Sequence, residues 1–172
     1  SFNWLWSQSA TSTASTPDVM GMATDAAGNS YITGNYYGTA SFGALPPLTS
    51  LGQSDAYVVK YDNMGNALWA ASAGGDTFDG PFDLALDPQG DVLITGYFQS
   101  GTAVFGGTSL TRVGAMDIFV AKLSTADGSF TWAHRYGSND FQSGSLERGN
   151  AIACDADGNA YVTGGFRYPL DV

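Results

Sequence analysis

Positive charge is the scarcest feature of this 172-residue chain: six Lys plus Arg stand against sixteen Asp plus Glu, for a formal net charge of −10. So few cations cannot assemble a basic patch, which argues against nucleic acid or an anionic membrane surface as partner. A cation, a neutral sugar or a basic protein patch meets no such repulsion. The single cysteine, Cys154, excludes an intrachain disulfide. It reads as a small buried residue, because the only histidine, His134, belongs to a different part of the sequence pattern and offers no thiol–imidazole pair. No apolar run reaches the roughly 18 residues of a membrane-spanning helix. Neither a signal peptide nor an initiator Met stands at Ser1, which reads as a processed or excised piece. No segment keeps an apolar period of about 3.6 residues long enough to make a helix.

What the chain has instead is repetition. DAAGNSYITG at 25–34 returns as DPQGDVLITG at 87–96 and as DADGNAYVTG at 155–164. A Trp-bearing segment precedes each copy (WLWSQSA at 4–10, ALWAASAGG at 67–75, FTWAHRYGS at 130–138). A Phe-Gly segment follows the first two, at 39–55 and 102–117, and then DAYVVKYD at 55–62 and DIFVAKLS at 117–124. Thr33, Thr95 and Thr163 mark a period of 62 to 68 residues, a length that indicates solenoids, propellers or arrays.

The recurring blocks are four to eight residues long and rich in Val, Ile, Tyr, Phe and Thr, which is strand chemistry. The Asp-x-x-Gly pieces are hairpin turns: Asp bonds the backbone two residues on, and Gly supplies a positive φ. An EF-hand reading fails, because the alternating acids and the distal Glu of a calcium loop are missing. Each unit then holds four antiparallel strands, a (82–87), b (91–98), c (117–123) and d (130–136) in the second copy. Four-stranded antiparallel units repeated at this length are β-propeller blades, so the expected class is all-β, with about 2.75 blades and about eleven strands. Residues 1–10 are the last strand of one blade, 18–73 and 80–138 are full blades, and 149–172 are the first two strands of another. The chain is either a fragment of a longer propeller or a piece whose copies complete one another through uncovered strand edges.

The run DxxGNxYVTG, then F-G-x-x-x-L-T-x-x-G, then DIFVAKL, then the Trp strand with A-G-G, resembles the bacterial β-propeller repeat called SBBP. The resemblance covers essentially the whole chain, with departures at ALPPLTS (44–50) and at the longer SNDFQSGSLERGN (138–150). It implies a propeller in large secreted or cell-surface bacterial proteins, and it transfers no catalytic residue.

Strand alternation puts the short Asp-x-x-Gly turns on one face, and the longer b–c loops (about 35–54 and 99–116) and d–a loops (about 9–18, 73–80 and 137–149) on the other. Function resides on such loops when a rigid scaffold holds them. The best polar cluster there is Asp76, Asp79 and Asp83, with Asp140 and Glu147 in the next repeat and Asp18 in the first. Converging carboxylates at that rim are candidate Ca²⁺ ligands (Asp76, Asp79, Asp83), set against a solvated acidic rim that needs no ion. Tyr36 and Tyr97 are candidate sugar-stacking residues, set against edge packing. Trp6, Trp69 and Trp132 are expected between blades, and Phe42 and Phe105 in packing. Lys60 and Lys122 are expected to pair with Asp55 or Asp117.

Three functions follow. The first is a non-enzymatic extracellular or surface module binding protein or glycan. The second is a structural subunit assembled by blade or strand-edge pairing. The third is a propeller-type polysaccharide hydrolase or lyase, using Asp79 with Asp83 or Glu147. His134, beside Trp132 in strand d, is placed for a structural role rather than for a Ser-His-Asp triad.

Overall fold

The computed structural model describes residues 5–138 and 147–166. They form fifteen strands and no helix. The first repeat runs β1 (Ala10–Ser12), β2 (Gly21–Thr24), β3 (Ser30–Tyr36), β4 (Thr39–Phe42), β5 (Leu48–Thr49), β6 (Asp55–Tyr61) and β7 (Ala67–Gly74). The second runs β8 (Asp79–Leu86), β9 (Val92–Phe98), β10 (Thr102–Phe105), β11 (Thr108–Thr111), β12 (Asp117–Leu123) and β13 (Phe130–Tyr136), and β14 (Arg148–Cys154) and β15 (Ala160–Gly165) follow.

The sheets are antiparallel meanders of the propeller type. Blade 1 is β2-β3-β6-β7 and blade 2 is β8-β9-β12-β13, each in a-b-c-d order, while β14 and β15 pair as the a and b strands of a third unit. The b–c segments expected as loops are hairpins. β4 pairs with β5, and β10 with β11. Gly43 and Gly106, at φ 59 and 58, supply the left-handed turn residues that close them.

Each hairpin leaves its own blade and extends the sheet of the preceding one. β10 pairs with β7, setting Phe105 opposite Ala73, and β4 pairs with β1, setting Phe42 opposite Ala10. Blade 1 therefore makes up the four strands at one end of a six-stranded sheet, β11-β10-β7-β6-β3-β2.

The turns use one device four times. Asp25 Oδ1 accepts from the Ala27 and Asn29 amides at 2.9 Å each, and its Oδ2 accepts from Asn29 Nδ2 at 2.7 Å. Asp62 and Asp155 repeat all three bonds, and Asp87 the two backbone ones. In the exposed turn at 155–159, the Asn159 side chain and amide hold the Asp155 carboxyl down at about 2. Tyr31 and Tyr161 hydroxyls also donate to their turn aspartates. The second repeat has Leu93 at that position, and Lys122 takes over, 2.6 Å from Asp87 and 3.2 Å from Asp91. Burial pushes the Asp87 carboxyl up, but the Lys122 hydrogen bond and the Asp91 amide outweigh it and hold the group below its ordinary value.

The lysine pairing expected from sequence is therefore corrected. Lys60 lies 5.3 Å from the centre of the Tyr31 ring and donates to the Thr125 carbonyl at 2.9 Å. Asp55 and Asp117 begin the strands that Lys60 and Lys122 nearly end. Five residues of strand, roughly 17 Å, separate the groups.

The core is a series of layers between adjacent blades. Between blades 1 and 2, Tyr31, Val58, Trp69 and Ala73 meet Ile94, Phe98, Phe105, Phe119 and Leu123. Ahead of blade 1, Trp6 and Ala10 pack on Phe42, Tyr57 and Tyr61. After blade 2, Leu93, Ile118, Val120 and Ile152 form a third layer, flanked by Trp132, Tyr136 and the half-buried Cys154. Trp69 donates its indole N–H to the Thr125 carbonyl at 3.0 Å, on the c–d turn of blade 2. Its ring lies so close to Gly128 that a Cβ there would sit 2.6 Å from the indole, and Trp6 covers Gly65 in the same way, at 2.8 Å. Both glycines also have positive φ, +76 and +84, so each turn excludes a side chain twice over.

Candidate functional site

The acids that sequence reading places on the long-loop face are occupied in holding that face together. Asp79 is 2% exposed. Its Oδ2 accepts from the Gly75 amide at 2.7 Å and from the Ser100 hydroxyl, and its Oδ1 accepts from the Gln99 and Ser100 amides at 2.9 and 3.1 Å. One carboxylate thus ties the end of strand d to the start of the next strand a and to the b–c loop. Glu147, at the equivalent repeat position, is 1% exposed and accepts from the Ser138 amide at 2.8 Å and from the Ser138 hydroxyl. Asp83 reaches across to the next blade and accepts from the Ile152 amide at 2.9 Å. Asp76 is exposed on the loop, and Asp140 lies outside the described residues.

This corrects the view of a carboxylate rim. Asp79 and Glu147 point inward because amides at strand ends need acceptors once they are buried. Asp76, Asp79 and Asp83 do not converge, and among the described residues no three His, Cys, Asp or Glu side chains are grouped to hold a metal ion. Nor does Asp79 form a hydrolytic pair with Asp83 or Glu147, since Asp79 and Glu147 are buried and their carboxylates are taken up by nearby amides and hydroxyls.

The aromatic candidates divide. Tyr36 is fully buried, with its hydroxyl 2.7 Å from Ser72 Oγ and its ring 6.4 Å from Tyr57, so it has no face for a sugar. Burial pushes its phenol up to about 12. Tyr97 is half-buried against Phe82, with ring centroids 5.4 Å apart.

Two further carboxylates at strand c complete the frame. Asp117 is fully buried and accepts from Val113 and Gly114 amides at 2.8 and 3.1 Å, with Arg135 at 3.5 Å. Asp55 is equally buried; its Oδ2 accepts from the Leu51 amide at 2.8 Å, and its Oδ1 has no hydrogen-bond partner. Burial first, and the nearby Asp79 charge second, push the Asp55 carboxyl up to about 6 against the pull of the Leu51 and Gly75 amides. Sequence reading passed over both as lysine partners; their recurrence at one repeat position was the available signal.

With the acids turned inward, the long-loop face is a stiff platform carrying a few exposed side chains. The loop before β6 and the loop before β8 are joined: Gln53 and Ser54 amides donate to the Thr77 carbonyl at 3.0 and 3.1 Å, and Ser54 bridges Phe78. This joined pair presents Leu51, 68% exposed, and Phe78, 39% exposed, beside Asp76.

A second feature lies on the blade face instead. A groove of ≈270 Å³ runs between blade 2 and β15, floored by Ile118, Val120, Trp132, His134 and Tyr136. His134 is exposed and leans against Trp132, with ring centroids 5.2 Å apart and the planes tilted by 38°.

No protein-family model matches the chain. It is 26% identical over 160 residues to an uncharacterized WD repeat-containing protein of Acanthamoeba polyphaga mimivirus. The similarity covers 84% of this chain and 11% of that relative, so the chain spans about a ninth of the relative's length. A WD-repeat relative agrees with the propeller-type sheets described above.

Proposed function

We propose that the chain is part of a non-enzymatic β-propeller scaffold that binds a protein, or the glycan a protein carries, through its long-loop face. The observation that carries this reading is the locking of that face. Asp55, Asp79, Asp117 and Glu147 each clamp a loop end from within, and the joined loops then hold Leu51 and Phe78 out to solvent beside Asp76. A preorganised surface with exposed apolar anchors loses little conformational freedom on binding. The similarity to a WD repeat-containing protein is in keeping with an interaction role. The resemblance of the repeats to the SBBP type is in keeping with a parent protein that works outside a bacterial cell or on its surface, and the acidic composition suits a neutral or basic partner.

A photo-crosslinking residue at Phe78 tests the reading, with Met64 on the opposite, short-turn face as control. Crosslinks to a defined partner from position 78 and not from 64 support it, as does glycan-array binding without turnover. Equal capture from both faces, or hydrolysis of a bound glycan, refutes it.

A further inference from the structure

We propose that Asp55 and Asp79 form a proton-operated latch between the loop before β6 and the loop before β8, shut while one of the two carboxyls is neutral and loosened once both carry charge. The two acids meet at the end of β7. The Gly75 amide donates to Asp79 Oδ2 at 2.7 Å, and a Cβ on Gly74 would sit 2.4 Å from Asp55 Oδ1. Beside them run the bonds that join the loops: Gln53 and Ser54 amides donate to the Thr77 carbonyl, and the Asp79 amide donates to the Ser54 carbonyl at 2.9 Å. Donors fill both oxygens of Asp79, and the Leu51 amide holds Asp55 Oδ2. Asp55 Oδ1 is the unpartnered oxygen of the pair, on a side chain with no exposed surface, and is the position for a proton. Without that proton two desolvated charges face each other, which burial makes costly.

Blade 2 shows what blade 1 lacks. It has the same two acids, Asp117 and Glu147, on either side of Gly137 and Ser138. There the Val113 and Gly114 amides take both Asp117 oxygens, and Arg135 lies 3.5 Å from Oδ2. Strand register puts Ser72 where Arg135 stands, and Tyr36 where Phe98 stands. Ser72 is 2.7 Å from the Tyr36 hydroxyl instead, and among the described residues no Lys, Arg or His pairs with Asp55 or Asp79. The other titratable side chains near the pair are Tyr36 and Tyr97, which burial first of all keeps protonated, and the exposed Asp76; residues 48–54, β7 and β10 carry none. Burial, ahead of the Asp79 charge, raises the Asp55 carboxyl to about 6. The shut latch holds the proton more tightly than the open one, so it is firm in acid and weakens as pH rises through 6. These loops carry Leu51 and Phe78. On the loop-face reading above, on which this one step rests, acid presents that surface more firmly.

Amide exchange of the intact chain from pH 5 to 8, corrected for the intrinsic pH dependence of exchange, tests the latch without a partner. Protection at Leu51, Gln53 and Ser54 is expected to fall about tenfold over that range, while Val113 and Gly114 keep theirs. Asp55→Asn should leave 51–54 protected and flat with pH. Ser72→Arg combined with Tyr36→Phe copies the blade 2 arrangement and should flatten the profile as well. Flat protection in the unmutated protein overturns the proposal. So does a fall shared equally by Val113 and Gly114, or one that survives in Asp55→Asn or in the folded double variant. No partner enters the measurement, so failure of the latch and failure of loop-face binding are separately visible.

Discussion

Replacing Asp55 by Asn should stabilise the protein at neutral pH and leave it nearly unchanged in acid. The Asp55 carboxyl is wholly buried and its folded value is raised from 3.8 to about 6. The folded state thus holds the proton more tightly than the unfolded one. The neutral side chain's contribution is present in full below about pH 4, is lost as pH rises through 6, and does not change further above that. Two pH units correspond to about 3 kcal/mol. Asn keeps an acceptor for the Leu51 amide and replaces the unpartnered Oδ1 by a neutral NH₂, which removes the repulsion with Asp79. Gly74 leaves no room for a larger group, since a Cβ there would lie 2.4 Å from Oδ1, but Asn adds no volume. Urea melts at half-unit steps from pH 4 to 8 measure the difference. The expected gain is about 2–3 kcal/mol at pH 8, or roughly 5–10 °C in melting temperature, shrinking towards zero near pH 4. A gain that is flat with pH, or a loss at pH 8, would refute the assignment. Asp87 and Asp155, whose values are lowered, act in the opposite sense and only at more acid pH, so they cancel in the comparison.

Gly128→Ala should cost about 2–3 kcal/mol in denaturant melts, because the new Cβ meets the Trp69 indole in a backbone conformation that disfavours any side chain; native-like tryptophan emission with unchanged stability would contradict this. Thr95→Val should cost about 1–2 kcal/mol by leaving the Phe119 carbonyl without its side-chain donor, read by the same melts. Asp79→Ala should cost about 3 kcal/mol or more through the loss of four hydrogen bonds to a buried carboxylate, while added Ca²⁺ leaves the melting temperature of the unmutated protein unmoved. A calcium-induced rise lost in Asp79→Ala would restore the metal reading.

The architecture was open to sequence reading because its punctuation is chemical. Asp-x-x-Gly turns and strand-type blocks return at one spacing, and the structure puts a turn or strand at each. The b–c hairpins were legible too: TAVF and TSLT flank Gly106 and Gly107, and were passed over as loop because the strands are short and their partner belongs to another blade. The acids misled for a different reason. Whether a loop aspartate faces water or the amides behind it depends on where neighbouring strands end, and no local pattern around Asp79 or Glu147 encodes that. Exchanges such as Ser72 for Arg135 carry meaning only once the facing strand is known.

The handing of β10 and β11 to the sheet before them has a practical result. A shortened protein cut between blades, at Gly75 for example, would strip two strands from the very sheet it was meant to preserve and leave the rim of β7 bare to self-association. A clean truncation must run on to at least Thr111. Duplication of the gene segment obeys the same offset: what is copied as one unit is built into two neighbouring sheets, so a newly inserted copy is stitched to its neighbours from the moment it folds.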